Sequence, residues 1–235
     1  MSAGVLRRLP WGLTAAVVPT LALLIGLGVW QVNRLAWKER LIASAEAAAA
    51  QPPAHLAQVL ALPDPEFRKV VVTCPGLETA PFVELQTIQD SQPGVRLVSA
   101  CAPRDRTDVF LVDRGFVPGD ISARPTVMAS PLPVVLIAEV RHGPAPNGMT
   151  PPPSDGRFFA RDSAAMAQAL GVAAVDPRTL YALTSSNPGW TALRPSAPPA
   201  AFSNNHLGYA LTWFGLAIVL VAFYGAMVRR RMRAA

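Results

Sequence analysis

Residues Trp11 to Trp30 read WGLTAAVVPTLALLIGLGVW, a run without a single charged side chain. Residues Leu207 to Val228 read LGYALTWFGLAIVLVAFYGAMV, which is equally free of charge. As helices that rise ~1.5 Å per residue, runs of about 20 residues cross a hydrocarbon core of ~30 Å. A helix satisfies its own backbone polar groups in lipid, so such runs have few other structures available. The sequence therefore predicts transmembrane helices at residues 11–32 and 206–228.

The distribution of charge predicts how these helices are oriented. Six of the 21 Lys and Arg residues lie in the terminal tails, which hold no acidic residue: Arg7, Arg8, Arg229, Arg230, Arg231 and Arg233. This leaves 15 basic residues against all 15 acidic residues, so the net charge of +6 belongs to the tails. Basic tails favour the cytoplasmic side. We therefore expect cytoplasmic tails at 1–10 and 229–235.

The intervening residues 33–205 are then predicted to form an extracytoplasmic domain of neutral net charge. A neutral domain argues against a nucleic-acid partner, which would need a basic stripe or patch. Membrane lipid is the expected partner of the two apolar runs. The 19 Arg against two Lys, with abundant Ala and Pro, indicate a bacterial source and hence a multi-pass protein of the cell inner membrane with a periplasmic domain. A mitochondrial inner membrane is the alternative.

A cleaved signal peptide is the alternative to a retained first helix, because Ala43-Ser44-Ala45 resembles a small-residue cleavage site. The apolar run is too long for a signal peptide. Charged residues between Arg34 and Arg40 also separate the run from that site. The sequence therefore favours a retained anchor.

The middle of the chain changes to the pattern of a sheet. Short segments rich in β-branched residues occur at Lys69–Thr73, Val83–Ile88, Val95–Ala100, Val109–Arg114, Val134–Arg141 and Leu180–Thr184. Turn signals between them include Pro75-Gly76, Pro93-Gly94 and Pro118-Gly119. The predicted fold is therefore a membrane protein with two transmembrane helices flanking one α+β domain, mainly antiparallel sheet or a small open barrel.

Three helical segments are expected around this sheet. Residues 32–50 contain strong helix formers and no Gly or Pro, so the first helix should continue several turns beyond the membrane. Residues 56–62 are expected to add a short helical piece. Asp162 is placed to cap a helix that ends at Gly171.

Cys74 and Cys101 both fall in the predicted exported domain. Two thiols in an oxidising compartment usually pair, so a disulfide is the simpler interpretation. A redox or copper dithiol is the alternative, but such pairs usually stand a few residues apart, whereas these are 27 apart.

Signals of catalysis are few. The chain has no G-x-S-x-G elbow, H-E-x-x-H helix, Gly-rich phosphate loop or clustered Cys/His metal motif. His55 and His142 stand beside Pro and Gly residues, as solvated loop residues do. We therefore expect no enzymatic activity.

His206 differs because it stands at the mouth of the second apolar run. On a helix, His206, Tyr209 and Trp213 lie near one face. One interpretation is an interfacial histidine beside an aromatic belt. The other is an axial imidazole for haem iron, with Tyr209 and Trp213 as flat walls.

The first helix has a matching surface at the same depth, where Trp30, Arg34, Trp37 and Lys38 follow helical spacing. Tryptophan anchoring with snorkelling basic side chains is one interpretation. In the other, Arg34 and Lys38 receive anionic propionates or the carboxylates of a partner. Basic residues on the outward side run against the positive-inside bias, which adds weight to the second interpretation.

Four segments in order resemble the Surfeit locus protein 1 family. They are GLGVWQVNRLAWKERLI after the first run, VFLVDRGFVP, RFFARDSAAMAQALG, and NNHLGYALTWFGLA at the second run. Together they cover most of the chain between Gly26 and Ala217. The first and last are the most specific, since each joins a membrane edge to particular aromatic and polar residues.

The resemblance implies an assembly factor for haem–copper terminal oxidases such as cytochrome c oxidase, acting where haem a enters subunit I. It implies haem a as a transient cofactor and His206 as its iron ligand. We add Tyr209, Trp213, Arg34, Trp37 and Lys38 as a hypothetical haem-binding set. The expected partners are oxidase subunit I and the machinery that synthesises haem a.

Two rival functions stay open at this point. One is a scaffold or chaperone that binds oxidase subunits without touching haem. The other is a membrane-anchored thiol oxidoreductase that uses Cys74 and Cys101.

Overall fold

The computed structural model describes residues 10–143, 146–196 and 204–233. The chain divides into two compact units, one of Met1–Ser44 with Ala200–Ala235 and the other of Ala45–Pro199. In chain order the elements are α1 Trp11–Ala50, β1 Ala54–His55, α2 Leu56–Leu60, β2 Lys69–Pro75, a 3₁₀ turn Leu77–Thr79, β3 Val83–Gln89, β4 Gln92–Cys101, β5 Phe110–Pro118, β6 Pro133–His142, β7 Arg157–Phe158, α3 Ser163–Ala169, β8 Arg178–Ala182 and α4 His206–Arg233.

The first unit contains the two long helices. Both are long and apolar enough to cross a membrane, as the sequence predicts. Helix α1 runs without a break through Ala50, which confirms the expected extension beyond residue 32. Helix α4 ends in a turn that carries Arg230, Arg231 and Arg233. Arg7 and Arg8 of the predicted basic tail lie outside the described residues.

The two helices run antiparallel and contact each other at points between Thr14 and Gln31 of α1. The Thr14 and Tyr224 hydroxyls form a hydrogen bond of 2.6 Å near one end of the pair. At the other end, Gln31 bonds to His206. Between them, a Cβ added at Gly28 would lie 2.6 Å from the Phe214 ring, so a side chain at this position would displace that ring.

The second unit is built on one eight-stranded mixed sheet in the order β1-β2-β6-β8-β5-β4-β3-β7. The long neighbouring strands are mostly antiparallel, as predicted. Strand β8 is the exception in the centre, where it pairs parallel with β5. All nine residues of β5 are buried, so both faces of this strand are covered.

The core on one face collects apolar side chains from β2, β5, β6, β8 and α2, including Phe110 and Leu136. Helix α3 covers a second cluster through the fully buried Met166. The Asp162 carboxylate caps α3 by accepting a hydrogen bond of 3.0 Å from the Ala165 N–H, and Gly171 follows with φ of 73°. These observations confirm the predicted capped helix.

The disulfide shows how strongly the sheet curls. Cys74 on β2 and Cys101 on β4 are joined, with their Cα atoms 5.4 Å apart. Three strands lie between β2 and β4 in the sheet order, and in a flat sheet with strands ~4.8 Å apart the two would be ~19 Å apart. The sheet therefore curves like part of a barrel around the buried sulfurs.

One predicted turn is wrong. Pro93 and Gly94 lie inside β4, and the chain reverses instead at Asp90 and Ser91, with φ values of 50° and 65°. A two-residue hairpin turn that matches the twist of its strands needs positive φ at both central positions. Asp adopts positive φ more readily than most residues, whereas the ring of proline forbids it.

Removing the disulfide tests its role in the curled sheet. Cys74→Ala with Cys101→Ala is expected to lower the free energy of unfolding by about 3 kcal/mol, because the closed loop spans 27 residues. Thermal unfolding of the full chain in detergent, followed through its sheet signal, measures the change. A thiol reductant should destabilise the unaltered chain and leave the variant unchanged. A variant as stable as the oxidised parent would contradict the assignment.

Candidate functional site

His206 opens helix α4, and its ring is fixed by a residue of the other helix. The Nδ1 atom lies 2.6 Å from the Gln31 Oε1 atom. The amide oxygen can only accept, so Nδ1 carries the hydrogen and donates it. Gln31 is itself buried, with 8% of its surface exposed. Burial without a partner would be costly for both groups, so this bond holds the imidazole in one orientation.

The second ring nitrogen of His206, Nε2, is the atom of this site that could bind a metal ion. With Nδ1 protonated, the neutral ring keeps a lone pair on Nε2. Within the described residues, Nε2 has no hydrogen-bond partner, and the His206 side chain is only half-buried. Protein histidines that bind metals are typically oriented in this way, with the other nitrogen bonded to an oxygen acceptor.

Arg34 and Trp37 lie further along α1. The Arg34 guanidinium stacks on the Trp37 ring, 4.0 Å from its centroid. Arg34 is three residues beyond Gln31 and Lys38 is seven beyond it, which corresponds to about 4.5 and 10.5 Å along the helix axis. Both cations therefore stand on the side of His206 that faces away from the apolar run.

The predicted aromatic walls differ in their environment. Tyr209 is 57% exposed, while Trp213 is half-buried two helical turns from His206. The buried stripe of α4 runs instead through Ala210 and Ala217. Small residues in this stripe let α1 approach closely.

The other two histidines have ordinary surface environments in the second unit. His55 lies 3.4 Å from Asp105, and His142 lies 2.8 Å from Glu66. More than half of each imidazole side chain is exposed. Across the described ranges, no three His, Cys, Asp or Glu side chains are grouped to hold a metal ion.

A second cluster of functional groups lies inside the sheet unit around Asp113. Its fully buried carboxylate accepts hydrogen bonds of 2.7 Å from both Arg96 and Arg161. The Tyr181 ring lies 4.8 Å from the Arg161 guanidinium and 5.8 Å from that of Arg96. Burial raises the pKa of the Tyr181 phenol, so this hydroxyl stays protonated. We name these four residues the Asp113 cluster.

Asp113 and Arg114 are neighbours in the sequence, but their side chains have different partners. Asp113 and Arg114 lie within β5, not at its end, and do not pair with each other. A β-bulge places Asp113 opposite Val98 and Gly115 opposite Leu97, so Arg114 is the extra residue. Gly115 has φ of 133°, a backbone angle that residues with a side chain rarely adopt.

Arg114 is buried and has neutral hydrogen-bond partners. Its Nε donates to the Ser186 hydroxyl at 2.9 Å and its Nη2 to the Glu78 carbonyl at 2.8 Å. Burial lowers the pKa of Arg114 to about 10, and the negative charge of Glu78 offsets only part of this effect.

The Asp113 cluster also holds the segment that follows the sheet. Arg96 donates from Nη2 to the Ser196 carbonyl and from Nη1 to Gln89 Oε1 at 2.9 Å. Phe116 and Arg194 exchange two backbone hydrogen bonds of 2.9 and 2.8 Å beside Gly115. A side chain at Gly115 would collide with Arg194, because an added Cβ would lie 2.4 Å from its carbonyl oxygen.

Comparison with known proteins shows that both sites lie within the region that one family model matches. The model described as "SURF1 family" matches residues 18–218. The chain belongs to the SURF1 family. It is 30% identical to a SURF1-like protein of Drosophila melanogaster over 94% of this chain and 79% of that protein. It is 28% identical to Surfeit locus protein 1 of Mus musculus over 87% of this chain and 72% of that protein.

Family membership confirms the resemblance seen in the sequence. A SURF1-like protein of Monosiga brevicollis is also 28% identical, over 94% of this chain and 87% of that protein. The SURF1 match begins inside α1 and ends inside α4, so it includes Gln31, His206 and the Asp113 cluster.

Three partners escaped sequence reasoning on this SURF1-family chain. Gln31 is 175 residues from His206, and Arg96 and Arg161 are 17 and 48 residues from Asp113. A polar Gln at the end of an apolar run, at the depth of His206 in the other run, was the available signal. Nothing local to Asp113 indicates which arginines pair with it.

Neutralising the central carboxylate tests the Asp113 cluster. Asp113→Asn keeps the shape but leaves Arg96 and Arg161 buried without an anion, so unfolding should become easier by about 3–5 kcal/mol. Asp108→Asn is the matched control, because Asp108 pairs with Arg106 while 46% exposed and should cost less than about 1 kcal/mol. Thermal unfolding of both full-length variants measures the difference. Equal stabilities would show that the buried pairs contribute nothing.

Proposed function

We propose that this SURF1-family chain is an assembly factor for a haem–copper terminal oxidase such as cytochrome c oxidase, and that it holds haem a for delivery to subunit I. The observation that carries the proposal is the hydrogen bond from His206 Nδ1 to Gln31, which leaves Nε2 as a ready ligand. Haem iron accepts an axial imidazole nitrogen of this kind.

The neighbouring residues suit the rest of a haem. Arg34 and Lys38 supply cations for the anionic propionates. Trp37, Tyr209 and Trp213 offer aromatic surface, and Trp37 and Tyr209 are 43% and 57% exposed. One protein ligand and an open site favour release, which a transfer factor needs.

The proposed location follows from the charges. Arg230, Arg231 and Arg233 in the last turn of α4 favour a cytoplasmic C-terminus in the cell inner membrane. The sheet unit then lies on the periplasmic side. There it would dock subunit I, while the helix pair would receive haem a from the synthesis machinery. The protein would act as a chaperone without catalysing a reaction.

The buried disulfide weakens the case for a thiol oxidoreductase. Cys74 and Cys101 are 0% and 2% exposed, and a redox-active sulfur has to be reached by its partner thiol. The remaining alternative is a scaffold that binds oxidase subunits without haem, and experiment has to distinguish it from a factor that delivers haem a.

Replacing the proposed ligand provides the test. His206→Ala should lower the haem a that is retained on protein purified from haem a-producing cells by about tenfold or more, because the axial bond is lost. Gln31→Leu should retain an intermediate amount, because Nε2 persists but the ring is no longer oriented. Pyridine haemochrome spectra, normalised to protein, measure the content.

His142→Ala is the matched control, since this histidine is exposed in the sheet unit and should leave haem content unchanged. Unchanged haem in His206→Ala would remove the ligand assignment. A colourless unaltered protein that still co-purifies with oxidase subunits would favour the scaffold.

A further inference from the structure

The connection between β6 and β7 contains three successive prolines, Pro151, Pro152 and Pro153. The ring of proline fixes φ near −65°, and a residue that precedes proline is restricted to extended conformations. Thr150, Pro151 and Pro152 all precede a proline. These restrictions impose polyproline II, a left-handed helix with three residues per turn and no internal hydrogen bonds. We name residues 149–153 the proline ridge.

A hydrogen-bonded turn fixes the chain just before the prolines. The Thr150 N–H donates to the Asn147 carbonyl at 2.9 Å, and the Asn147 N–H donates to the Thr150 hydroxyl at 3.1 Å. The Met149 N–H donates to the Asn147 side-chain carbonyl at 3.0 Å, as is common in turns that contain asparagine. The backbone of Met149 is therefore held in place, although 89% of this residue is exposed.

A hairpin turn fixes the chain just after the prolines. Ser154 and Arg157 exchange two backbone hydrogen bonds of 3.0 and 2.8 Å. Between them, Asp155 and Gly156 have φ values of 50° and 75°, and positive φ at both central positions is typical of a tight two-residue hairpin turn. The proline ridge is therefore tied at both ends by contacts that do not involve its own side chains.

The proline ridge is exposed along its whole apolar surface. Met149 and all three prolines are exposed. No N–H or O–H group in the described ranges donates to the carbonyls of residues 150–153. The ridge therefore presents proline rings, one thioether and a row of hydrogen-bond acceptors to its surroundings.

The length of this connection also indicates a function. Fourteen residues separate His142 at the end of β6 from Arg157 at the start of β7. Loops of this length are uncommon in compact domains and are usually functional or disordered. The hydrogen bonds at both ends of the ridge favour a functional loop.

We propose that the proline ridge is the segment through which the sheet unit docks on an oxidase subunit, and that it binds a groove lined by Trp or Tyr side chains. This inference rests on the proposed assembly function and names the surface that makes the contact. Aromatic rings pack on the faces of a polyproline helix, and indole N–H or phenol O–H groups donate to its carbonyls. Met149 then serves as an adaptable apolar anchor at one end.

The rigidity of the ridge suits a temporary partner. A segment that is ordered before binding loses little conformational freedom when it binds, so a small contact is sufficient. Small interfaces are typical of transient complexes, and an assembly factor has to leave its product. Residues 146–154 contain no charged side chain, so the contact should persist in about 1 M salt, where charges are screened beyond ~3 Å.

Photocrosslinking locates the contact on the full-length protein. The photoreactive residue p-benzoylphenylalanine is introduced in place of Met149 in cells that make the oxidase, and the irradiated product is identified by mass spectrometry. We expect a crosslink to an oxidase subunit within a peptide that contains Trp or Tyr. The same residue in place of Ile88, which is 74% exposed on β3, is the control and should give about tenfold less of this product.

A triple variant tests the prolines themselves. Pro151→Ala with Pro152→Ala and Pro153→Ala removes the rings and the stiffness of the ridge, and should lower the co-purified oxidase subunit by about tenfold. Thermal unfolding and haem a content should be unchanged, because the altered side chains are exposed. Pro63→Ala with Pro188→Ala is the matched control, since both prolines are exposed outside the strands.

The outcomes separate this inference from the proposed function. A triple variant that co-purifies with as much oxidase as the parent would overturn the ridge as a docking segment, and so would a crosslink to lipid or to a second copy of this chain. A triple variant that loses the oxidase only because it unfolds would show that the prolines merely support the fold. Haem a on a parent protein whose position 149 captures no oxidase subunit would overturn the ridge while haem delivery stands. Neither haem nor a captured subunit would overturn both.

Association that disappears in high salt would also contradict an apolar contact. It would assign docking to charged side chains elsewhere on the sheet unit.

Discussion

The hydrogen bond between Gln31 and His206 is the interaction on which the functional arrangement depends. It joins the largely apolar spans of two helices, through residues that are 175 positions apart in the chain. In an environment with little competing water, an unpaired amide or imidazole would be costly, so the helices align where these two groups meet. Together with the Thr14–Tyr224 bond it sets the register of the pair, and it leaves one imidazole nitrogen available.

The sheet unit is stabilised by different physics. Its curvature brings β2 and β4 together at a buried disulfide, and apolar clusters cover both faces of β5. Within this core, Asp113 neutralises part of the charge of Arg96 and Arg161. Buried ion pairs contribute little net stability when intact, yet losing one partner is expensive. The Asp113 cluster therefore acts mainly by fixing one arrangement of β4, β5 and the Arg194–Ser196 segment.

The sequence predicted what depends on local pattern. Two uncharged runs identified both spanning helices, β-branched segments located the long strands, and Asp162 marked the start of α3. The sequence did not predict which strands and side chains pair with each other, because this pairing depends on contacts between distant residues. The parallel pairing of β8 with β5, the two arginines on Asp113 and the Gln31 contact are of this kind. The turn at Asp90-Ser91 was missed because Pro93-Gly94 is the stronger local signal.

We propose that the helix pair presents His206 Nε2 as a ligand for haem iron, and the proposed function depends on this one atom. The most direct measurement is the absorption spectrum of the unaltered protein, purified in detergent from cells that synthesise haem a. We expect a bound haem a spectrum with close to one haem per chain and the signature of imidazole ligation. A protein that emerges without haem from such cells, though intact and folded, would contradict it.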